Sequence, residues 1–157
     1  MMVTDFKLTA RNKRQVAVLT RPRLKANASE RTILIVDDEA EIRETLAEIL
    51  TGAQHRVVTA SSGREALERL ATGTYDVILT DIRMPDLDGP TLYQEIEQRW
   101  PGKGGRVIFV TGDTLASALR DFVSESGRPV IEKPFLPSEV RRVVAELVTN
   151  GEVAPPD

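Results

Sequence analysis

Three acidic side chains stand where apolar runs of the sequence end. Asp37 and Asp38 follow the run Thr32–Val36, and Asp81 follows the run Asp76–Thr80. Short runs rich in Val, Ile and Leu predict buried strands. Because ligands collect at the carboxyl ends of the strands in an open parallel sheet, we expect the three carboxylates to meet at one edge.

A hydroxyl and an ammonium group follow two further runs of this kind. Thr111 follows Val107–Val110, and Lys133 lies two residues after the short run Val130–Ile131. Carboxylates are ligands for a divalent cation such as Mg²⁺, whereas a lysine and a hydroxyl can bind phosphoryl oxygens. The five side chains together therefore suit a divalent cation and a phosphoryl group.

The elements that would position these side chains alternate between strand and helix patterns. Strands are predicted at 32–36, 56–60, 76–80, 107–110 and 130–131. Helices are predicted at about 40–50, from a cap at Ser61 or Ser62 to Gly73, from Pro90 to about Trp100, and at about 115–125 and 138–148. The strands show little alternation of apolar and polar residues, which indicates burial on both faces. We therefore predict an α/β fold, a doubly wound five-stranded parallel sheet with helices on both faces.

Composition excludes several classes of protein. The chain has 157 residues, of which 41% are hydrophobic and 29% are charged, as in a globular domain. It contains no cysteine, which excludes disulfides, thiolate metal sites and cysteine catalysis. No apolar stretch approaches the ~20 residues that a membrane helix needs. We expect a cytoplasmic protein.

Charge divides the chain unevenly. Residues 1–31 carry eight basic and two acidic residues, a net charge of +6, and the rest carries 13 basic and 22 acidic residues, a net charge of −9. We predict a basic N-terminal extension or linker at 1–30, one folded domain at 31–149 and a disordered tail at 150–157. The basic segment is either a solvated extension or an arm for a partner. We do not expect nucleic acid as a partner, since Phe6 is the segment's sole aromatic residue and offers little for bases to stack on.

Four motifs of the sequence together resemble the receiver domain of two-component response regulators. They are Ile-Leu-Ile-Val-Asp37-Asp38-Glu, Asp-Val-Ile-Leu-Thr-Asp81-Ile-Arg-Met-Pro-Asp-Leu-Asp-Gly, Val-Thr111-Gly and Glu-Lys133-Pro-Phe135. The resemblance covers about residues 31–149, with the motifs in order and at matching spacing. It implies a flavodoxin-like strand order 2-1-3-4-5. The segment 127–135 is similar to receivers attached to hybrid sensor kinases.

The resemblance also implies roles for the site residues. Asp81 would be the phosphoacceptor, taking a phosphoryl group from a phosphohistidine. Asp38, Asp81 and the backbone carbonyl of Arg83 would bind Mg²⁺ directly, and Asp37 would act through water. Two further side chains would bind phosphoryl oxygens, namely those of Lys133 and Thr111.

One position departs from the family pattern. Receivers usually carry Tyr or Phe three residues before the lysine, as a switch that swings inward, but this chain has Val130 there. A valine has no ring to move between two positions. We therefore predict that any switch acts mainly through the backbone and displacement of the fourth helix.

The implied function is that of a signalling receiver, which catalyses only its own aspartyl phosphorylation and dephosphorylation. Its partners would be a sensor histidine kinase or a histidine phosphotransfer protein, and an unknown downstream protein or a second copy in a homodimer. Because about eight residues follow the last predicted helix, we expect a stand-alone or hybrid-kinase receiver without a DNA-binding output domain.

Two rival functions fit the sequence less well. A phosphatase of the haloacid-dehalogenase type would carry a second Asp two residues after its nucleophile, where this chain has Arg83. A histidine kinase or phosphotransfer protein would carry its histidine in mid-helix. The one histidine, His55, is predicted in a loop, and no glycine-rich ATP lid is present.

Overall fold

Strands and helices alternate along the chain in the computed structural model, which describes residues 30–112 and 117–152. The elements are β1 (Thr32–Val36), α1 (Ala40–Gly52), β2 (Arg56–Ala60), α2 (Gly63–Thr72), β3 (Val77–Asp81), α3 (Gly89–Arg99), a 3₁₀ turn (Lys103–Arg106), β4 (Val107–Thr111), α4 (Ser117–Ser126), β5 (Val130–Glu132) and α5 (Pro137–Glu152).

The five strands form one sheet in the order β2-β1-β3-β4-β5. Every neighbouring pair runs parallel. The predicted fold class and strand order are therefore confirmed. The central strand β3 and its neighbour β4 are buried at every position, as expected for strands with helices on both sides.

Helices cover both faces of the sheet. One apolar cluster joins Leu34 and Phe109 of the sheet to Ile96 of α3, and also includes side chains of α2 and α4. The other cluster lies on the opposite face and joins Leu79 of the sheet to Leu46 of α1 and to side chains of α5. The sheet is thereby fixed between two apolar layers, which gives the loops at its edges a rigid base.

Local hydrogen bonds explain where two of the helices begin. The Ser62 hydroxyl accepts a hydrogen bond from the backbone N–H of Glu65, at 3.1 Å, and the Glu65 carboxylate accepts one from the N–H of Ser61, at 2.8 Å. Helix α3 starts in the same way, since Asp88 Oδ1 accepts from the N–H of Thr91 at 2.9 Å. Side-chain acceptors satisfy N–H groups that a helix leaves without a partner at its N-terminus.

Most element bounds differ from the predicted ones by one or two residues, and two differences are larger. A 3₁₀ turn that is absent from the predicted elements precedes β4, because Glu97 Oε1 and Oε2 accept hydrogen bonds from the N–H groups of Gly104 and Gly102. Helix α5 starts at Pro137 and continues to Glu152, so the first three residues of the predicted tail are helical.

The predicted basic leader lies, apart from Glu30, outside the described residues, as do positions 153–157 of the predicted tail. Their assignment as a linker and a disordered tail stays a prediction. Within the described part of the chain, no helix is long and apolar enough to cross a membrane.

Burial on both faces predicts that equal truncations on the two sides have similar effects on stability. Leu34→Ala and Leu79→Ala, both at fully buried positions on opposite faces, should each lower the free energy of unfolding by about 2–5 kcal/mol. The matched control is Leu136→Ala, at a residue that is 67% exposed, which should change stability by no more than about 0.5 kcal/mol. Urea unfolding followed by circular dichroism measures all three. A small loss at either sheet position would show that one face is not covered.

Candidate functional site

The strand register brings the ends of β1, β3, β4 and β5 to one edge of the sheet. Val36 pairs with Thr80, Asp81 pairs with Val110, and Thr111 pairs with Glu132. The residues that follow these positions therefore leave the sheet at the same level. This is the carboxyl edge of a parallel sheet, where ligands collect in such folds.

The three acidic residues meet at this edge. One carboxylate oxygen from each of Asp37, Asp38 and Asp81 lies within 4.8 Å of the others. Asp37 and Asp81 are buried, with relative exposures of 1% and 7%, whereas Asp38 is exposed. Two fixed, buried carboxylates and one exposed carboxylate thus surround one small volume.

Lys133 supplies the positive charge that opposes this cluster. Its Nζ lies 3.5 Å from Asp37 Oδ2, 3.6 Å from Asp81 Oδ1 and 3.9 Å from Glu39 Oε1. Partial burial would lower the pKa of this ammonium group, but the charges of Asp81 and Asp37 outweigh burial and raise it. Lys133 is therefore held in its charged form.

The backbone fixes the position of this lysine. The N–H of Lys133 donates to the carbonyl of Thr111 at 2.7 Å, and the Lys133–Pro134 peptide bond is cis. Thr111 itself is 9% exposed and ends β4. Thr111 and Lys133 are thus joined by a backbone hydrogen bond between the ends of β4 and β5.

The electrostatics of Asp81 follow from its surroundings. Burial is the main cause that raises its pKa, to about 6, and the neighbouring Asp37 and Asp38 raise it further, whereas Lys133 and the N–H of Ile82 lower it. Burial also raises the pKa of Asp37, against a hydrogen bond from the N–H of Glu39 and the charge of Lys133. Near neutral pH, the cluster therefore holds carboxylates whose charge is incompletely compensated.

A cleft opens from this cluster to solvent. It has a volume of about 620 Å³, and its walls include Asp38, Asp81, Arg83, Lys133 and Phe135. Arg83 was predicted to offer its backbone carbonyl, and the structure places the residue on the cleft wall. Gly112, next to Thr111, also lines the cleft, while residues 113–116 lie outside the described residues.

Two residues near the site were missed at the level of sequence. Glu39 lines the cleft and its carboxylate approaches Lys133, although its side chain is 65% exposed. Its place directly after the Asp pair was the available signal. Gly89 packs against the backbone of β3, where a Cβ atom would lie 2.5 Å from the carbonyl oxygen of Asp81. Nothing in the sequence around Gly89 predicts this close approach.

The residues present fit a Mg²⁺ ion. Mg²⁺ prefers carboxylate, carbonyl and water oxygens, and is usually held by one or two carboxylates with several waters retained. The cluster offers three carboxylates against one ammonium group. A divalent cation would neutralise the remaining charge, and the cleft leaves space for its water ligands.

Comparisons with known sequences agree on one family. The family model of the response regulator receiver domain matches residues 33–145. The DNA-binding transcriptional regulator NtrC of Klebsiella pneumoniae is 37% identical over 116 residues, which are 74% of this chain and 24% of that protein. The sensor kinase CckA of Brucella abortus is 31% identical over 123 residues, which are 77% of this chain and 13% of that protein. The chain thus spans about a quarter or less of the length of these relatives.

A solved structure gives the same result at the level of the fold. A CheY-like response regulator receiver domain protein from Methanospirillum hungatei superposes with a TM-score of 0.72 at 28% identity, covering 80% of this chain and 98% of that chain. The matched region contains the acidic cluster, Thr111 and Lys133. The chain belongs to the response regulator receiver domain family.

Proposed function

We propose that Asp81 accepts a phosphoryl group from the phosphohistidine of a sensor histidine kinase or a histidine phosphotransfer protein, in a reaction that requires Mg²⁺. The observation that carries this proposal is the position of the Asp81 carboxylate. It lies at the end of a buried strand, 3.6 Å from the Lys133 ammonium and within 4.8 Å of two further carboxylates, on the wall of an open cleft.

The reaction forms an acyl phosphate. A carboxylate oxygen of Asp81 attacks the phosphorus, the bond between phosphorus and the imidazole nitrogen breaks, and its electron pair returns to the imidazole. The raised pKa of Asp81 is consistent with a nucleophile that is still ionised at neutral pH. Bound Mg²⁺ would neutralise charge on the transferring group, with Asp38, Asp81 and the Arg83 carbonyl as ligands and Asp37 acting through water.

Lys133 and Thr111 would bind the phosphoryl group once it is on Asp81. In the unphosphorylated protein, Lys133 is shared among three carboxylates at 3.5–3.9 Å. A phosphoryl group on Asp81 would compete for that ammonium and form a charge-assisted hydrogen bond with it. The Thr111 hydroxyl would donate to another phosphoryl oxygen. Phosphorylation would thus change the contacts of both residues and shift the ends of β4 and β5.

The proposed output is a change in a protein-interaction surface. Val130 on β5 is 37% exposed and has no ring to rotate inward, so the change would pass through the backbone around Thr111 and Lys133 to α4. The relatives that match this chain over part of their length include a DNA-binding transcriptional regulator and a sensor kinase, so a receiver domain can be joined to different output domains. The proposal therefore concerns the receiver step, a cytoplasmic signalling event in which the domain catalyses only its own phosphorylation and dephosphorylation.

Phosphorylation from a small donor tests this proposal. Incubation with acetyl phosphate and Mg²⁺ should add about 80 Da to the intact protein, and the adduct should be released by hydroxylamine, as expected of an acyl phosphate. Asp81→Asn or excess EDTA should abolish the adduct. The matched control Asp121→Asn, at an exposed residue of α4, should be labelled like the wild type. Full labelling of Asp81→Asn would place the nucleophile elsewhere.

The charge cluster predicts a pH-dependent stability in the absence of metal. Because the pKa of Asp81 is raised from 3.8 to about 6 in the folded state, the folded form binds more protons than the unfolded form between these values. The contribution of Asp81 to the free energy of unfolding therefore falls as the pH rises from about 4 to about 6. Above that range the free energy of unfolding is lower by up to about 3 kcal/mol. In EDTA, Asp81→Asn should be more stable than the wild type at about pH 7.5 and no more stable near pH 4.

Urea unfolding at the two pH values measures this difference, with Asp121→Asn as the control that should follow the wild type. Addition of millimolar Mg²⁺ near neutral pH should stabilise the wild type and reduce the advantage of Asp81→Asn, since a ligand of the folded state adds stability by mass action. If Asp81→Asn gives no gain at the higher pH, the carboxylate repulsion inferred from the structure is absent.

A further inference from the structure

All the polar atoms of Asp37 have partners that hold them in place. Its backbone N–H donates to the carbonyl of Ala60 on β2 at 3.2 Å. Its Oδ1 accepts from the N–H of Glu39 at 2.9 Å, and its Oδ2 faces Lys133 Nζ at 3.5 Å. The remaining atom, the backbone carbonyl oxygen, accepts a hydrogen bond from Arg43 Nη1 at 2.7 Å.

Arg43 makes two bonds to the loop between β1 and α1. Its backbone N–H donates to the carbonyl of Glu39 at 3.1 Å, which is an ordinary first bond of α1. Its half-buried side chain turns back along the helix to reach the Asp37 carbonyl. That carbonyl belongs to the peptide unit that joins Asp37 to Asp38. The guanidinium group therefore restrains the plane of this peptide.

Asp38 has no comparable restraint of its own. Its carboxylate is exposed, and no hydrogen bond or ion pair to another described residue holds it. The direction in which it points from the chain is therefore set by the backbone that precedes it. The orientation of that backbone depends on the bond from Arg43.

We propose that Arg43 is a positioning residue for the cation site, holding the Asp37–Asp38 peptide so that the Asp38 carboxylate faces Asp81. The inference rests on the proposed function, because it concerns the same Mg²⁺. Charge and positioning make opposite predictions for this residue. If the guanidinium acted through its charge alone, its removal would strengthen cation binding. If it acts by positioning, its removal weakens cation binding.

Calorimetric titration of the whole chain with MgCl₂ distinguishes an effect of the Arg43 charge from positioning of the Asp37–Asp38 peptide. Arg43→Met keeps an apolar stem and removes the donors and the charge, and it should weaken Mg²⁺ binding about 10-fold, as is typical when a residue that orients metal ligands is lost. Arg43→Lys keeps a donor and the charge and should recover most of the affinity. The matched control Arg142→Met, at an exposed residue of α5 paired with Glu146, should leave the affinity unchanged.

The titrations are run in sucrose, which favours folded states, so that every variant is compared in its native form, as checked by circular dichroism. Unchanged or tighter binding by folded Arg43→Met would overturn the inference. Failure of the proposed function is distinguishable: the wild type would then bind no Mg²⁺, or Asp38→Asn would bind it as well as the wild type does.

Discussion

The repulsion among three carboxylates at one edge of the sheet is the constraint on which the rest of the structure depends. Two unit charges about 4 Å apart in a partly buried setting repel by roughly 4 kcal/mol. Asp37, Asp38 and Asp81 place ligand oxygens within 4.8 Å of one another, and Lys133 is the ammonium group that opposes them. A loop free to move would separate these charges. The chain keeps them together because Asp81 ends β3, and Asp37 and Asp38 directly follow β1, both of which are strands of the packed sheet.

The rigidity of the strands comes from burial on both sides. Strand β3 is buried at all five positions, and its side chains enter separate apolar clusters above and below the sheet. Moving Asp81 outward would disturb both clusters at once. Gly89 packs closely against the Asp81 carbonyl, where any side chain would collide with the strand. The core thereby maintains an unfavourable charge arrangement that a cation or a cation with phosphate can relieve.

The same arrangement connects Lys133 to the two strands β4 and β5. Lys133 and Thr111 are joined by a backbone hydrogen bond of 2.7 Å, so in the proposed mechanism a change in the partners of the lysine ammonium would be transmitted to β4 and β5 together. Val130 shows that this chain lacks the aromatic ring common at its position in receivers. The proposed transmission through the backbone needs no such ring.

The sequence by itself determined the strands, their parallel arrangement and the end of the sheet at which the acidic cluster, Thr111 and Lys133 lie. This was possible because short runs of Val, Ile and Leu are enough to predict buried strands. The polar residue after each run must then lie at the end of its strand. The boundaries of α5 and the 3₁₀ turn before β4 were less accessible, since Glu97 fixes that turn through side-chain bonds that periodicity does not reveal.

Tertiary structure alone decided how the site residues interact. The pairing of Lys133 with Asp37 joins positions 96 residues apart. The pKa of Asp81 depends on its burial and on charges from two other loops. The bond from Arg43 to the Asp37 carbonyl requires the helix to turn its side chain back over the loop. Contacts between residues that are distant in the sequence form only when the helices pack on the sheet, and the same packing excludes water from the site. Residue types and their spacing along the chain therefore do not reveal these contacts.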